Sequence, residues 1–231
     1  MNIRNLTYCD LDFIDYKEAW DLQYALHQLR RENQVSDLIV LLEHPNTYTL
    51  GKTAHIENLI GGKDFLEKNN ISVYNIDRGG DITYHGPGQI VGYPIINLSD
   101  WFQDSHKYLR TLEEVLIKVC EEYGLKAGRV EGYTGVWIED RKIAAIGIKI
   151  SHWITMHGFA FNVNTNLEMF HGIIPCGISD KSVTSLEKEL GRKIPIGEVK
   201  EKIIEHFKNE FNYNSVEIIE KESLFYKSIK N

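Results

Sequence analysis

Residues 71–98, ISVYNIDRGGDITYHGPGQIVGYPIINL, constrain the fold more than any other part of the chain. They hold three strand-like runs, separated by Gly79-Gly80 and by Gly86-Pro87-Gly88. Together with the hairpins and helices elsewhere in the chain, these pieces read as strands mixed with helices and not as a regular strand-helix alternation. The stretch therefore argues against a doubly wound, all-parallel sheet.

The flanking pattern mixes both periodicities. Residues 3–9 read as a short strand, and from Asp15 the residues Ala19, Trp20, Leu22, Ala25, Leu26 and Leu29 recur near helical spacing. DLIVLLEHP reads as a buried strand stopped at His44-Pro45, because proline cannot donate to a central ladder. A long connection follows. A helix is predicted near 105–124, with Leu109, Leu112, Leu116, Val119 and Cys120 on one side, so Cys120 reads as core. GVWIEDRKIAAIGIKI reads as a hairpin turning at Glu139-Asp140-Arg141, and MHGFAFNV as a further strand. TSLEKEL and IGEVKEKIIEHFKNEF, split at Gly191, return to helix, and the chain after about residue 218 reads as a tail prone to fray. There is no internal repeat or flexible linker. The expectation is one α/β (α+β mixed sheet) domain spanning residues 1–231.

At 231 residues such a domain can bury a sizeable core. A net charge of -7 argues against wholesale binding to nucleic acid or to a membrane surface. Three cysteines without CxxC spacing suggest neither a disulfide framework nor a zinc ribbon, and the N-terminus lacks an apolar signal core, so a cytoplasmic protein is expected. The nine histidines show no HExxH or similar spacing, and no metal is expected.

Two places carry unusual chemistry. In HGIIPCGISD, Cys176 sits between Pro175 and Gly177, in shaped backbone rather than in a periodic apolar run. A buried small hydrophobe and an exposed nucleophile both fit that placement, the former being commoner for free cysteine. RGGDITYHGPGQ packs four glycines, an arginine and a histidine into twelve positions, as where backbone approaches a ligand. It is neither a Walker A loop nor GxGxxG, so a nucleotide phosphate is not its obvious target.

RGGDITYHGPGQIVGYP, then RKIAAIG, HGFAFNV and IIPCGI, in that order, resemble the lipoyl(octanoyl) transferase family, the octanoyl-acyl carrier protein:protein N-octanoyltransferases. The likeness runs from DYKEAWDLQ through LLEHPNTYTLGK to about VTSL. It implies the biotin/lipoate protein ligase-like fold, a mixed sheet flanked by helices. It implies Cys176 as the acyl-thioester cysteine and Lys142 as the lysine that activates it. It also implies substrate-binding segments at Arg78, Gly79, Gly80, Asp81, Ile82, Thr83, Tyr84 and His85, at Ala145, Ile146 and Gly147, and at Gly158, Phe159 and Ala160. Asp81 fills a position that varies among members. The implied donor is octanoyl-acyl carrier protein. The implied acceptors are lipoyl domains of 2-oxoacid dehydrogenase complexes and the glycine cleavage H protein, and no cofactor is needed.

The chemistry fits those roles. A free thiol has a pKa of about 8.5, and a nearby ammonium raises the thiolate population. Lys142 taken alone would read as an exposed turn lysine beside Arg141. Histidine is the commoner partner of a nucleophilic cysteine, so His85, His157 and His171 compete with Lys142 for that part. Two rivals stand beside the transferase: an ATP-dependent lipoate ligase of the same fold, and a noncatalytic acyl-protein binding module with Cys176 as core. An acidic chain docking an acidic carrier protein needs a local basic surface, for which Arg141 and Lys149 are the first candidates.

Overall fold

The computed structural model describes residues 4–174 and 182–229. Its strands are β1 (Asn5–Phe13), β2 (Leu38–Glu43), β3 (Thr47–Leu50), β4 (Ser72–Asn75), β5 (Ile82–His85), β6 (Gln89–Ile95), β7 (Val136–Ile138), β8 (Arg141–Ser151), β9 (Ile154–Asn162), β10 (Ser182–Val183) and β11 (Ser215–Ile218). The helices are α1 (Tyr16–Arg31), α2 (Lys63–Lys68), α3 (Ser105–Glu122), α4 (Leu186–Leu190), α5 (Ile196–Glu210) and α6 (Lys221–Ile229).

Among the described residues the large sheet runs β10-β8-β9-β6-β2-β1-β11, with β7 also on β8. The pairs β2/β6, β6/β9, β8/β9 and β7/β8 are antiparallel, while β1 is parallel to both β2 and β11. The sheet is mixed, as expected, but the three runs joined by the short glycine breaks are not paired with one another: β4 and β5 both pair with β3, and β6 pairs with β2 and β9. A small sheet, β4-β3-β5, stands beside it.

Helix α1 begins where Asp15 accepts hydrogen bonds from the Lys17 and Glu18 amides, satisfying two otherwise orphaned donors. Its Leu22, Leu26 and Leu29 bury against Val40, Leu42 and Val91 on one face of the large sheet. The opposite face carries α3 and α5, where Leu112, Leu116, Val119 and Cys120 meet Val199, Ile203 and Phe207. A third cluster, with Tyr48, Tyr84 and Phe170, fills the space under the small sheet.

Three sequence expectations change. The connection after Pro45 contains β3, whose TYTL residues are all buried; it forms because β4 and β5 lie on either side of it. The first strand extends to Phe13, since β2 runs beside it. The tail after residue 218 does not fray within the described residues. It forms α6, whose Leu224 is buried against the α1 side, a contact worth roughly 2 kcal/mol.

Candidate active site

Strand β8 carries the site, and a β-bulge decides which way its first residues face. Trp137 pairs with Lys142 while Val136 pairs with Ala144, so Ile143 is one residue too many on β8. Strict alternation would put Lys142 with Ala144 and Ile146, which pack toward α3 and α5. The extra residue breaks that alternation, and Lys142 lines the same cleft as Ala145 and Gly147. Its side chain is mostly buried, with Nζ 4.7 Å from the centre of the Trp137 ring.

That cleft has a volume of about 500 Å³. Its floor is a row of small residues across two strands, Ala145 opposite Ala160 and Gly147 opposite Gly158. Its roof is the glycine loop. Gly79 N–H donates to the Ile148 carbonyl at 2.9 Å, and Arg78 Nη2 donates to the Thr49 carbonyl at 2.7 Å and its hydroxyl at 3.0 Å. The loop is thereby pinned between β8 and β3. Gly147 is required beneath it, because a Cβ there would lie 2.9 Å from Arg78 Cδ and 3.0 Å from the Gly79 carbonyl oxygen.

The cleft gathers nearly every residue singled out in the sequence: Lys142, Arg78, Gly79, Gly80, Asp81, Ile82, Thr83, His85, Ala145, Ile146, Gly147, Gly158, Phe159 and Ala160 all border it. Tyr84 does not. Alternation along β5 turns its ring into the cluster under the small sheet, where its hydroxyl donates to Asn46 Oδ1 at 2.8 Å. Asp81 uses its carboxylate on the neighbouring loop, accepting from His55 N and Asn58 Nδ2 at 3.2 and 2.5 Å. Cys176 lies outside the described residues.

The histidines sort themselves by environment. His85 is buried, with Nδ1 3.0 Å from Gln89 Oε1 and Nε2 3.4 Å from the Thr49 hydroxyl, and burial drives its pKa far below the ordinary histidine value. His157 donates from Nε2 to Asp77 Oδ1 at 2.8 Å. That bond helps hold the Asp77 carboxyl well below the usual carboxylate range, assisted by Lys149 and Tyr24 at 2.5 and 2.6 Å. Burial is the largest influence on the imidazole itself and pushes its pKa down, so the pair is a neutral His157 against an ionised Asp77. His171 is exposed and paired with Glu168 at 3.0 Å.

The two surface cations chosen for docking are engaged elsewhere. Arg141 bonds Glu139 and Glu189, and Lys149 bonds Asp77. Residues that the sequence reading missed also line the cleft: Tyr16, Tyr93, Leu109, Tyr133 and Thr134. Tyr16 stacks on Tyr74 and His85, with ring centres 5.3 and 5.7 Å apart. Tyr16 and Tyr93 lie within DYKEAWDLQ and QIVGYP, stretches that carry the resemblance, with no site role read there. Leu109, expected on the core side of its helix, borders the cleft instead, and Tyr133 and Thr134 read as ordinary loop residues until the elements meet. Among the described residues no cluster of His, Cys, Asp and Glu could hold a metal ion, and no helix is long and apolar enough to cross a membrane.

Fold and cleft together define a catalytic domain of the lipoyl protein ligase A/B type, whose family model matches residues 15–208. The solved lipoate-protein ligase A bound with ATP superposes with a TM-score of 0.75 at 18% identity, covering 100% of this chain and 94% of that one. Biotin protein ligase from Aquifex aeolicus, with biotin and ATP, gives 0.52 at 14% identity over 91% and 71%. Those likenesses concern the fold. Within this type, the chain belongs to the octanoyltransferase family. The octanoyltransferase of Flavobacterium johnsoniae is 50% identical over 219 residues, covering 87% of this chain and 94% of that protein. That of Rubrobacter xylanophilus is 51% identical over 195 residues, covering 84% and 87%.

Proposed function

We propose that this acyltransferase of lipoate biosynthesis works in two steps through a Cys176 and Lys142 dyad. Cys176 thiolate attacks the thioester carbonyl of octanoyl-acyl carrier protein. The bond to the phosphopantetheine sulfur breaks, the carrier leaves as its thiol, and octanoyl-Cys176 remains. The ε-amine of a lysine on a lipoyl domain then attacks that thioester, forming an amide and returning the thiol. Such domains belong to 2-oxoacid dehydrogenase complexes and the glycine cleavage H protein. One thioester exchanges for another at nearly equal free energy, and amide formation from a thioester is downhill, so ATP is not needed.

The observation that carries this reading is that Lys142 lines a cleft floored by alanine and glycine. The small residues leave space for an apolar chain, and the lysine supplies the ammonium and amine needed at its reactive end. Val183, a short way along the chain from Cys176, pairs directly with Lys142, and Thr184 N–H donates to the Lys142 carbonyl at 2.9 Å. Lys142 takes the thiol proton in the first step and relays protons in the second. Beyond Ala144 the outer edge of β8 has no strand partner among the described residues, and backbone N–H groups on that edge are candidates for holding the oxyanion. Histidine is the weaker partner: both ring nitrogens of His85 are engaged, His157 is turned to Asp77, and His171 faces solvent.

The test is an intact-mass measurement after mixing the protein with octanoyl-acyl carrier protein. One octanoyl adduct is expected, lost in Cys176→Ser. Octanoylation of a lipoyl domain from free octanoate and ATP, with no adduct on the enzyme, would favour the ligase instead.

A further inference from the structure

Glu113 lies on α3, away from every motif discussed above, yet its carboxylate is fully buried. It accepts from three donors. Oε2 takes Arg110 Nη1 at 2.7 Å and Arg129 Nε at 2.8 Å, while Oε1 takes the backbone N–H of Gly135 at 3.0 Å. A buried carboxylate is costly unless its oxygens are fully used, so this one is built to hold something. Two of its partners, Arg129 and Gly135, bracket residues 132–134, which form a wall of the cleft.

Gly135 is also the residue before β7, opposite the bulge that turns Lys142 into the cleft. Its φ of 120° is open only to glycine, and a Cβ there would lie 2.5 Å from the Ala144 carbonyl oxygen and 3.5 Å from Lys142 Cε. Two backbone hydrogen bonds, at 2.8 and 2.9 Å, tie Trp137 to Gly128 at the other end of the loop. The Tyr133 ring packs on Trp137 at 5.9 Å, and Trp137 carries the Lys142 ammonium on its face. The chain of contacts is continuous from Glu113 through Gly135 and Trp137 to the Lys142 amine.

We infer that Glu113 is a positioning residue: by pinning the 128–135 loop it fixes β7, the bulge and the Trp137 face, and so sets the place of the Lys142 amine in the cleft. Its use in transfer rests on the reading of Lys142 given above. The test therefore measures the position of the lysine separately from turnover. The rate at which an amine-reactive acylating reagent modifies Lys142 in the folded protein is followed by peptide mass spectrometry at fixed pH. Lys200, buried and bonded to Asp10 at 2.6 Å, is the internal reference for an intact fold.

Glu113→Ala and Gly135→Ala should each raise Lys142 modification by on the order of fivefold while Lys200 stays unchanged, since only the local unit is loosened. Glu113→Gln keeps an acceptor for Gly135 but turns an amide NH2 toward Arg110 and Arg129, so its Lys142 modification should fall between wild type and Glu113→Ala. Gly135→Ala serves if Glu113→Ala does not fold. Unchanged Lys142 modification in a folded Glu113→Ala, or in Gly135→Ala where Glu113→Ala does not fold, would overturn the proposal, as would a parallel rise at Lys142 and Lys200. Turnover with octanoyl-acyl carrier protein should fall in step with the Lys142 change. If Lys142→Ala itself kept full turnover, the catalytic reading would fail, whereas the labelling arms would still decide the positioning.

Discussion

Cys9 and Cys120 are buried, and burial pushes both thiols up to about 12, so neither offers thiolate near neutrality. Iodoacetamide applied to the folded protein should therefore alkylate Cys176 alone, and peptide mapping that found Cys9 or Cys120 modified first would contradict this. Alanine at either position should preserve turnover and act only through stability. For Lys142→Ala, both acylation and transfer should slow by roughly 10²–10⁴-fold, the usual contribution of a positioned acid-base group. Lys149→Ala should leave the chemistry largely intact, because Lys149 serves Asp77. Stopped-flow measurement of each half-reaction separates the two variants.

His44 provides a pH prediction at the same scale. It is buried between the Ile14 carbonyl and the Tyr93 hydroxyl, each 2.8 Å away, and burial lowers its pKa to about 4. The unfolded chain, with an ordinary histidine pKa of about 6.5, binds the proton first as pH falls. The neutral form's contribution to stability is therefore complete above about pH 6.5 and is lost as pH drops toward about 4, a change on the order of 3 kcal/mol. His85 and His157, also lowered, steepen the same limb. Denaturant unfolding midpoints between pH 7 and 4 would show it, and His44→Gln should flatten the slope.

At the scale of elements, the small-residue floor shared by β8 and β9 makes the sharpest forecast. Gly147→Val would push its side chain into Arg78 and the Gly79 carbonyl, lifting the glycine loop from β8. The KM for the acyl donor should rise more than kcat falls, because the loop shapes binding and does not touch the reacting bond. Most of these elements were legible beforehand. Helical spacing found α1, α3 and α5, the glycine breaks found β5 and β6, and the polar turn found the β7/β8 hairpin. Strand β3 escaped notice because TYTL has no periodic pattern of its own and is a strand only through neighbours on both edges.

For the whole molecule, the cleft should read chain length. Each methylene removed from the donor costs about 0.8 kcal/mol of burial, or about fourfold in transfer efficiency. Chains longer than the cleft should fall off more sharply, since overpacking strains a closed end. A flat profile from short to long acyl donors would contradict this. The chain's net charge of -7 repels an acidic carrier overall, so docking must use a local basic surface, and if it does it should weaken with added salt. Charge reversal at Arg141 is a poor probe of that surface, because it would first break the bridge to Glu189.

The sequence by itself determined the fold class, the family and more than half of the residues that border the cleft, because glycine punctuation, helical period and ordered motifs are local signals. It could not say that Tyr84 faces away, that Arg141 and Lys149 are occupied, or that α6 caps the chain with Leu224. Nor could it foresee that one extra residue at Ile143 turns Lys142 from the core face to the cleft, or that Glu113 on a distant helix holds the loop beside it. Those facts depend on which strand meets which and in what register, and register is set by the packing of the whole sheet rather than by any window of the chain.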